Sequence, residues 1–112
     1  MSAPTNLPET GGVPDLAAGP ERIEVLVETP TLRIERIVSH ASASPPGFWY
    51  DQPWAEWVTV LSGSAALLLE GEAKPRILSA GDHVTIAAGV RHRVEWTEAG
   101  RATVWLAVHY AA

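Results

Sequence analysis

The chain has 112 residues, of which 46% are apolar, and it carries a formal net charge of −5 and no cysteine. The length and apolar content predict one domain with a buried core, and the lack of cysteine excludes disulfides, zinc–thiolate sites and a cysteine nucleophile. An acidic balance without a run of Lys or Arg argues against nucleic acid and anionic membrane surfaces as partners.

The first segment, residues 1–20, contains four prolines, three glycines and few large apolar side chains. It cannot bury enough surface to offset its ordering entropy, so we expect a flexible Pro/Gly-rich tail before a domain of residues 21–112. The segment lacks the basic and apolar regions of a signal peptide. No apolar run approaches the ~18 residues of a membrane span. We therefore expect a cytoplasmic protein without membrane contact.

After the tail, the sequence alternates short β-type segments with turn signals. The alternation in residues 32–39 slips at Arg36, which predicts a β-bulge there. No segment has a helical period. Short strands separated by turns every ten or so residues favour an all-β sandwich or barrel. The eight predicted strands are residues 22–27, 32–39, 56–61, 65–70, 76–78, 83–87, 91–96 and 103–110.

Strand alternation places one carboxylate and one imidazole on inward faces. The charged residues of segment 91–96 share one face, so His92 should point inward together with Val94 and Trp96. If Val58 belongs to the core, Glu56 in the same strand also points inward. Both groups need partners when buried. Facing each other across a barrel, Glu56 and His92 would form a site. The simpler alternative is that Glu56 pairs with a neighbouring arginine such as Arg36 and that His92 is a hydrogen-bonded core histidine.

Residues 47–58 are unusually aromatic, with the sequence GFWYDQPWAEWV. Trp49 and Trp54, with Trp96 from a later strand, are candidates for pocket lining, although buried aromatic residues are most often ordinary core. Tyr50 is a candidate for ligand contact. Trp57 should face outward with other apolar side chains, which is typical of a subunit interface and predicts a homodimer.

The glycine and histidine spacing resembles the cupin family of small β-barrels. Cupins carry a first motif, roughly G-x5-H-x-H-x3-E-x6-G, and a second, G-x5-P-x-G-x2-H-x3-N. Glu56 matches the glutamate of the first motif, and Gly63 its last glycine. In the second motif, Gly81, Gly89 and His92 match, while Ala87 and Trp96 replace the proline and the asparagine. The resemblance covers about residues 32–110 and implies an all-β cupin double-stranded β-helix, a jelly-roll barrel.

Cupin metal sites use two His, a Glu and a third His around Fe, Mn, Ni, Zn or Cu. Here the two histidine positions of the first motif hold Tyr50 and Gln52, so the resemblance implies a weakened site. A phenol must lose its proton before it ligates, and an amide oxygen is a weak ligand suited to hard cations. The resemblance implies loose binding of a divalent metal (Zn, Mn, Fe or Ni) by Gln52, Glu56 and His92.

The remaining histidines are weaker candidates. His109 would add a metal ligand if it pointed inward, but both faces of segment 103–110 are largely apolar, so its orientation stays open. His40 precedes the loop SASPPG and could reach the barrel mouth. His83 follows a turn and should face water.

Three functional hypotheses follow. The first is a barrel that binds a divalent metal, a small organic molecule, or both in a Trp-lined pocket, with Glu56 and His92 as catalytic residues if metal-assisted or acid–base chemistry occurs. Tyr50, Trp49, Trp54 and Trp96 would then contact the substrate. The second is a metal-free binding or sensing module without catalysis. The third is a purely structural homodimer with a closed, packed barrel.

Overall fold

The computed structural model describes residues 21–111, which form eight β-strands. The predicted tail, residues 1–20, lies outside the described residues. Within residues 21–111 no helix has the length and apolar character of a membrane span. The strands are β1 (Glu21–Thr29), β2 (Leu32–Ser39), β3 (Ala55–Ser62), β4 (Ser64–Leu69), β5 (Arg76–Ser79), β6 (His83–Ile86), β7 (His92–Thr97) and β8 (Thr103–Tyr110).

The strands form two antiparallel sheets that share one core. One sheet has the order β1-β2-β8-β3-β6 and the other the order β5-β4-β7. The core cluster draws on both, because a sheet with one apolar face must bury it against a second layer. The all-β jelly-roll prediction is confirmed. The buried core residues are Val58, Val60, Ala65, Leu67, Leu69, Leu78, Val84, Ile86, Trp105 and Ala107.

Strand β8 alternates buried and half-buried residues along its whole length. Trp105 and Ala107 lie in the core, and His109, two residues further on, is only 3% exposed. Because successive side chains of a strand point to opposite faces, the three share the inward face. The orientation of His109, which the sequence left open, is therefore inward.

The bulge predicted at Arg36 is wrong. Strand β2 pairs with β8 without interruption, and the register shift lies on the neighbouring strand, between Val25 and Val27. The apolar alternation of β2 fails because polar residues take its inward positions. Arg33 and Glu35 are 1% and 2% exposed, so a polar row, rather than a bulge, breaks the pattern.

A second register shift changes the outer half of β7. Val94 pairs with Leu67 and Trp96 with Ala66, which leaves Glu95 as the additional residue. The bulge reverses the alternation after Val94. Trp96 therefore faces outward and is 40% exposed, which contradicts its predicted inward position.

Gly63 joins β3 to β4 at a point where the backbone of the β8 strand passes very close. Its φ is +86°, and a Cβ placed there would lie 2.6 Å from Thr103 Oγ1 and 2.8 Å from Thr103 Cα. Only glycine combines this backbone conformation with this approach. At Gly71, φ is +90° but no atom lies within 4 Å of such a Cβ.

We expect Gly63→Ala to lower the free energy of unfolding by about 3 kcal/mol, since the left-handed conformation and the contact with Thr103 both oppose the new methyl group. Gly71→Ala is the matched control and should lose only ~1 kcal/mol, from the backbone conformation alone. Denaturant unfolding measures both. Equal losses in the two variants would contradict the close approach at Gly63.

Candidate functional site

A cavity lies inside the barrel, between the two sheets. Its volume is about 60 Å³, which is room for a molecule of a few heavy atoms. Much of its wall is apolar and comes from both sheets: Ile37, Val58, Leu67, Ile86, Val94 and Trp105. The polar residues that line it are Glu35, Tyr50, Gln52, Glu56, His92 and His109. Glu21 at the start of β1 and Ser39 at the end of β2 line it as well. An apolar wall with a few convergent polar groups is typical of a small-molecule site.

Glu56 of β3 and His92 at the start of β7 form the first buried pair. His92 Nε2 lies 3.3 Å from Glu56 Oε1, and the two residues are 5% and 8% exposed. His92 Nδ1 lies 3.2 Å from the Val90 carbonyl oxygen. A carbonyl only accepts, so Nδ1 carries a proton and Nε2 faces the carboxylate. The contact that the motif spacing suggested between Glu56 and His92 is present.

The electrostatics of this pair favour the charged carboxylate. Burial alone would raise the pKa of Glu56, but the interaction with His92 and the nearby charges of His109 and His92 outweigh it. The pKa of Glu56 therefore lies below its ordinary value. The structural alternative considered from the sequence, a pair with a neighbouring arginine such as Arg36, does not form, because Arg36 binds Glu24 on the outer surface.

His109 and Glu35 form a second buried pair that the sequence did not reveal. His109 Nε2 lies 3.0 Å from Glu35 Oε1, and the indole Nε1 of Trp54 donates to His109 Nδ1 at 3.0 Å. An indole N–H can only donate, so Nδ1 accepts and the proton of the neutral ring sits on Nε2. Both imidazole nitrogens of His109 are therefore already hydrogen-bonded.

The pKa of His109 responds to opposing forces. Burial lowers it, but the hydrogen bond to Glu35 and the charges of Glu56 and Glu35 raise it by more, and Arg33 opposes them, so the pKa lies above that of a free imidazole. A second proton would have to enter at Nδ1, where it would displace the hydrogen bond from Trp54. Protonation of His109 is thus coupled to the position of the Trp54 indole.

The two pairs lie side by side. Glu56 on β3 is the direct cross-strand partner of His109 on β8, and opposed residues have Cβ atoms about 5 Å apart. Carboxylates and imidazoles therefore alternate across the barrel in the order Glu35, His109, Glu56 and His92. We call these four residues the acid–imidazole row.

The aromatic segment before β3 covers the row. Tyr50 and His92 exchange backbone hydrogen bonds of 2.7 and 3.1 Å, and their rings stack with centroids 5.3 Å apart. Burial, followed by the charges of Glu21, Glu56 and Glu35, raises the pKa of Tyr50 above that of free tyrosine. The Tyr50 phenol consequently stays protonated.

Arg93 anchors the loop that carries this segment. Its guanidinium donates to the carbonyl oxygens of Ser44, Pro45 and Phe48 at 3.2–3.3 Å. The guanidinium also lies 6.0 Å from the ring centroid of Trp49. The loop is thus fixed to the outward face of β7, next to the inward His92.

The predicted tryptophan lining needs correction. Trp49 packs near the guanidinium groups of Arg91 and Arg93, and Trp96 is exposed because of the bulge at Glu95. Trp54 does not line the cavity but holds His109, which does. In the part of the chain that the structure describes, the tryptophan that lines the cavity is Trp105.

The predicted metal ligands, Gln52, Glu56, His92 and His109, do not fit a resident metal ion. Both nitrogens of His109 are engaged, and the Tyr50 phenol stays protonated. This leaves one imidazole, one carboxylate and an amide oxygen, fewer strong donors than the three protein ligands of a catalytic site. Among residues 21–111 no cluster of three or more His, Asp or Glu side chains is arranged to hold a metal ion.

Gln52 nevertheless has a notable position. It lines the cavity, and its Oε1 is buried without a hydrogen-bond partner among the residues that the structure describes.

The two outer histidines lie away from the cavity. His40 is exposed. His83 is also exposed, and its ring packs against that of Trp57 with centroids 5.7 Å apart. Trp57 is half-buried on the outer face, and the homodimer expected from this face stays a prediction.

Glu35 and Trp105 are the site residues that sequence reasoning missed. A signal for Glu35 was present, since Arg33, Glu35 and Ser39 share one phase of β2 and all three are buried. A strand with polar residues at every second position is normally interpreted as having that face in water. Here that face is the inner one.

A family model and several solved structures match this chain. The family model of the cupin domain matches residues 37–109. A proposed mannose-6-phosphate isomerase from Ralstonia eutropha JMP134 is similar in structure, with a TM-score of 0.82 and 50% identity over 92% of this chain and 94% of that chain. An RmlC-like cupin from Shewanella frigidimarina NCIMB 400 has a TM-score of 0.70 and 15% identity over 93% and 89% of the two chains. The polyketide cyclase RemF from Streptomyces resistomycificus has a TM-score of 0.67 and 22% identity over 82% and 66%. A search of curated proteins found no match.

We expect Trp54→Phe to raise the pKa of His109 further, because loss of the indole donor frees Nδ1 to take a proton next to Glu35 and Glu56. Histidine side-chain NMR across a pH titration measures this value. Trp49→Phe, in the same loop but packed on Arg91 and Arg93, should leave it unchanged. An unchanged or lower pKa in Trp54→Phe would contradict the assigned hydrogen bond.

Proposed function

The chain belongs to the cupin domain family, and on that premise we propose that its barrel binds a small organic molecule directly, without a resident metal ion, and that Glu56 and His92 contact this ligand as an acid–base pair. The observation that carries the proposal is the acid–imidazole row at the wall of an otherwise apolar cavity. Burying four ionisable groups opposes folding unless they are paired. The four groups are paired with one another and all line the cavity, so a ligand held there would contact them.

The pair Glu56–His92 has the chemistry for proton transfer. His92 holds a proton on Nδ1 through the Val90 carbonyl, so its Nε2 can give or take a proton on the cavity side. Glu56, with its lowered pKa, is an acceptor at neutral pH. A ligand hydroxyl or carbonyl between them would meet a donor and an acceptor, which is the arrangement that general acid–base chemistry requires.

A divalent metal such as Zn, Mn, Fe or Ni is the alternative occupant suggested by the family. It would have Glu56 and His92 as strong ligands and the Gln52 amide oxygen as a weak one. His109 could join only by breaking its hydrogen bonds with both Trp54 and Glu35. Loss of two buried hydrogen bonds leaves their partners unsatisfied, which costs about 1–3 kcal/mol for each group. We therefore favour direct ligand binding over a resident metal.

Catalysis of sugar-phosphate isomerisation is the second candidate, because the similar protein from Ralstonia eutropha carries the name of a proposed mannose-6-phosphate isomerase. Acid–base transfer by Glu56 and His92 would suit an isomerisation. A phosphate group would lack a cationic partner, however, because no Lys or Arg is among the described residues that line the cavity. Arg and Lys are the usual partners of phosphate in proteins.

A thermal-shift screen of small organic molecules, run with and without chelator, tests direct binding. We expect stabilisation by a ligand to be the same in both conditions, because no metal takes part. Glu56→Gln and His92→Gln should abolish the shift, whereas Glu70→Gln, which alters an exposed ion pair with Arg91, should retain it. A shift that disappears with chelator would favour the metal-dependent alternative.

We expect no conversion of mannose-6-phosphate above background in a coupled assay for fructose-6-phosphate, since the cavity offers no cation to its phosphate. The assay should be run with and without added Mn²⁺ or Zn²⁺. Turnover that disappears in Glu56→Gln would contradict this expectation and favour the isomerase.

A further inference from the structure

We infer that the ligand of this cavity is a small organic ammonium ion, held by Glu35 and the amide oxygen of Gln52 beside the Glu56–His92 pair. The inference rests on the proposed binding function and specifies its ligand class. It follows from the hydrogen-bonding directions and charges around the cavity.

Within residues 21–111, the hydrogen-bond partner of Glu35 is His109, and no lysine or arginine is hydrogen-bonded to it. While Trp54 donates to Nδ1 of His109, the ring is in its neutral form and donates through Nε2 to Glu35. An ionised carboxylate is the acceptor that this arrangement favours. Glu35 is 2% exposed, and a buried carboxylate without a counter-charge destabilises a fold. A bound cation would remove that penalty.

The neighbouring groups do not supply the missing charge. The imidazole of His92 is directed at Glu56, with Nε2 3.3 Å from Oε1, rather than at Glu35. Arg33 is buried on the same face of β2 as Glu35, and its guanidinium lies 2.9 Å from the carboxylate of Glu28, with which it pairs. The acid–imidazole row therefore contains two carboxylates, and none of its members carries the permanent positive charge of a lysine or arginine.

Two cavity groups have unused hydrogen-bond acceptor capacity. Gln52 Oε1 is a buried acceptor without a partner and lines the cavity. Glu35 has a second carboxylate oxygen, since Oε1 alone contacts His109. Both need N–H or O–H donors, and an ammonium group supplies up to three donors together with the positive charge. A quaternary ammonium ion would supply the charge but no donor.

The rest of the wall suits the organic part of such a ligand. Trp105 and Tyr50 line the cavity, and aromatic faces attract cations. Ile37, Val58 and Leu67 offer apolar contact to an alkyl chain. The open volume limits this chain to a few carbons.

Four probes of five or six non-hydrogen atoms test the ligand class: butylammonium, 1-butanol, butyrate and tetramethylammonium. Binding is measured by ligand-observed NMR and calorimetry at a pH of about 8.5, between the ordinary pKa values of histidine and an alkylamine. We expect butylammonium to bind at least roughly tenfold more tightly than 1-butanol. Butyrate should not bind detectably, and the quaternary ion should bind more weakly than butylammonium.

Glu35→Gln keeps the side-chain shape and removes the charge. We expect it to weaken butylammonium roughly tenfold or more while leaving 1-butanol unchanged. Glu24→Gln, which removes an equal charge from the outer surface where Glu24 pairs with Arg36, should change neither affinity. If Glu35→Gln does not fold, the probe series on the unaltered protein decides the matter by itself.

Tighter binding of 1-butanol or butyrate than of butylammonium would overturn the ammonium class and leave the proposed binding function intact. Equal binding of butylammonium and the quaternary ion would overturn the role of Gln52 and Glu35 as acceptors. Binding by none of the four probes would also overturn the class, and the thermal-shift screen would then judge the proposed function independently.

Discussion

The hydrogen bond from the Trp54 indole to His109 Nδ1 is the interaction on which the account of the site depends. It fixes the tautomer of His109, directs Nε2 to Glu35, and removes both imidazole nitrogens from any other use. Without it, His109 could become an imidazolium or a metal ligand, and the charge inside the barrel would be different. Trp54, in the loop before β3, thus determines which nitrogen of His109 on β8 carries the proton.

The loop can do this because it is tied to the barrel at several points. Arg93 holds its carbonyl groups, the backbone of Tyr50 pairs with that of His92, and the Gln52 carbonyl oxygen accepts from the amide of Gly89. These contacts bring the ring of Tyr50 over His92 and the amide oxygen of Gln52 into the cavity wall. The two positions where the family motif has histidines are therefore still directed at the site, but they carry a neutral phenol and an amide.

The sequence predicted the fold well, because strand alternation and turn glycines are local signals. It also brought Glu56 and His92 together, since each follows from the parity of its own strand. It failed for Trp96, because a single additional residue at Glu95 reverses the parity beyond it, and a bulge leaves no clear mark in the composition. It failed for Glu35, because an inward polar row looks like a solvent-facing one. The Trp54–His109 bond joins residues 55 positions apart, a contact that no local pattern encodes.

The most direct test of the central claim, a site that works without a resident metal, is the metal content of the protein purified without a histidine tag. Plasma mass spectrometry should determine Mn, Fe, Co, Ni, Cu and Zn in the unaltered chain, in His92→Gln, and in His83→Gln as the exposed-histidine control. The account predicts far less than one metal per chain, with no difference between the cavity variant and the unaltered protein. Close to one metal per chain, lost in His92→Gln and retained in His83→Gln, would contradict it.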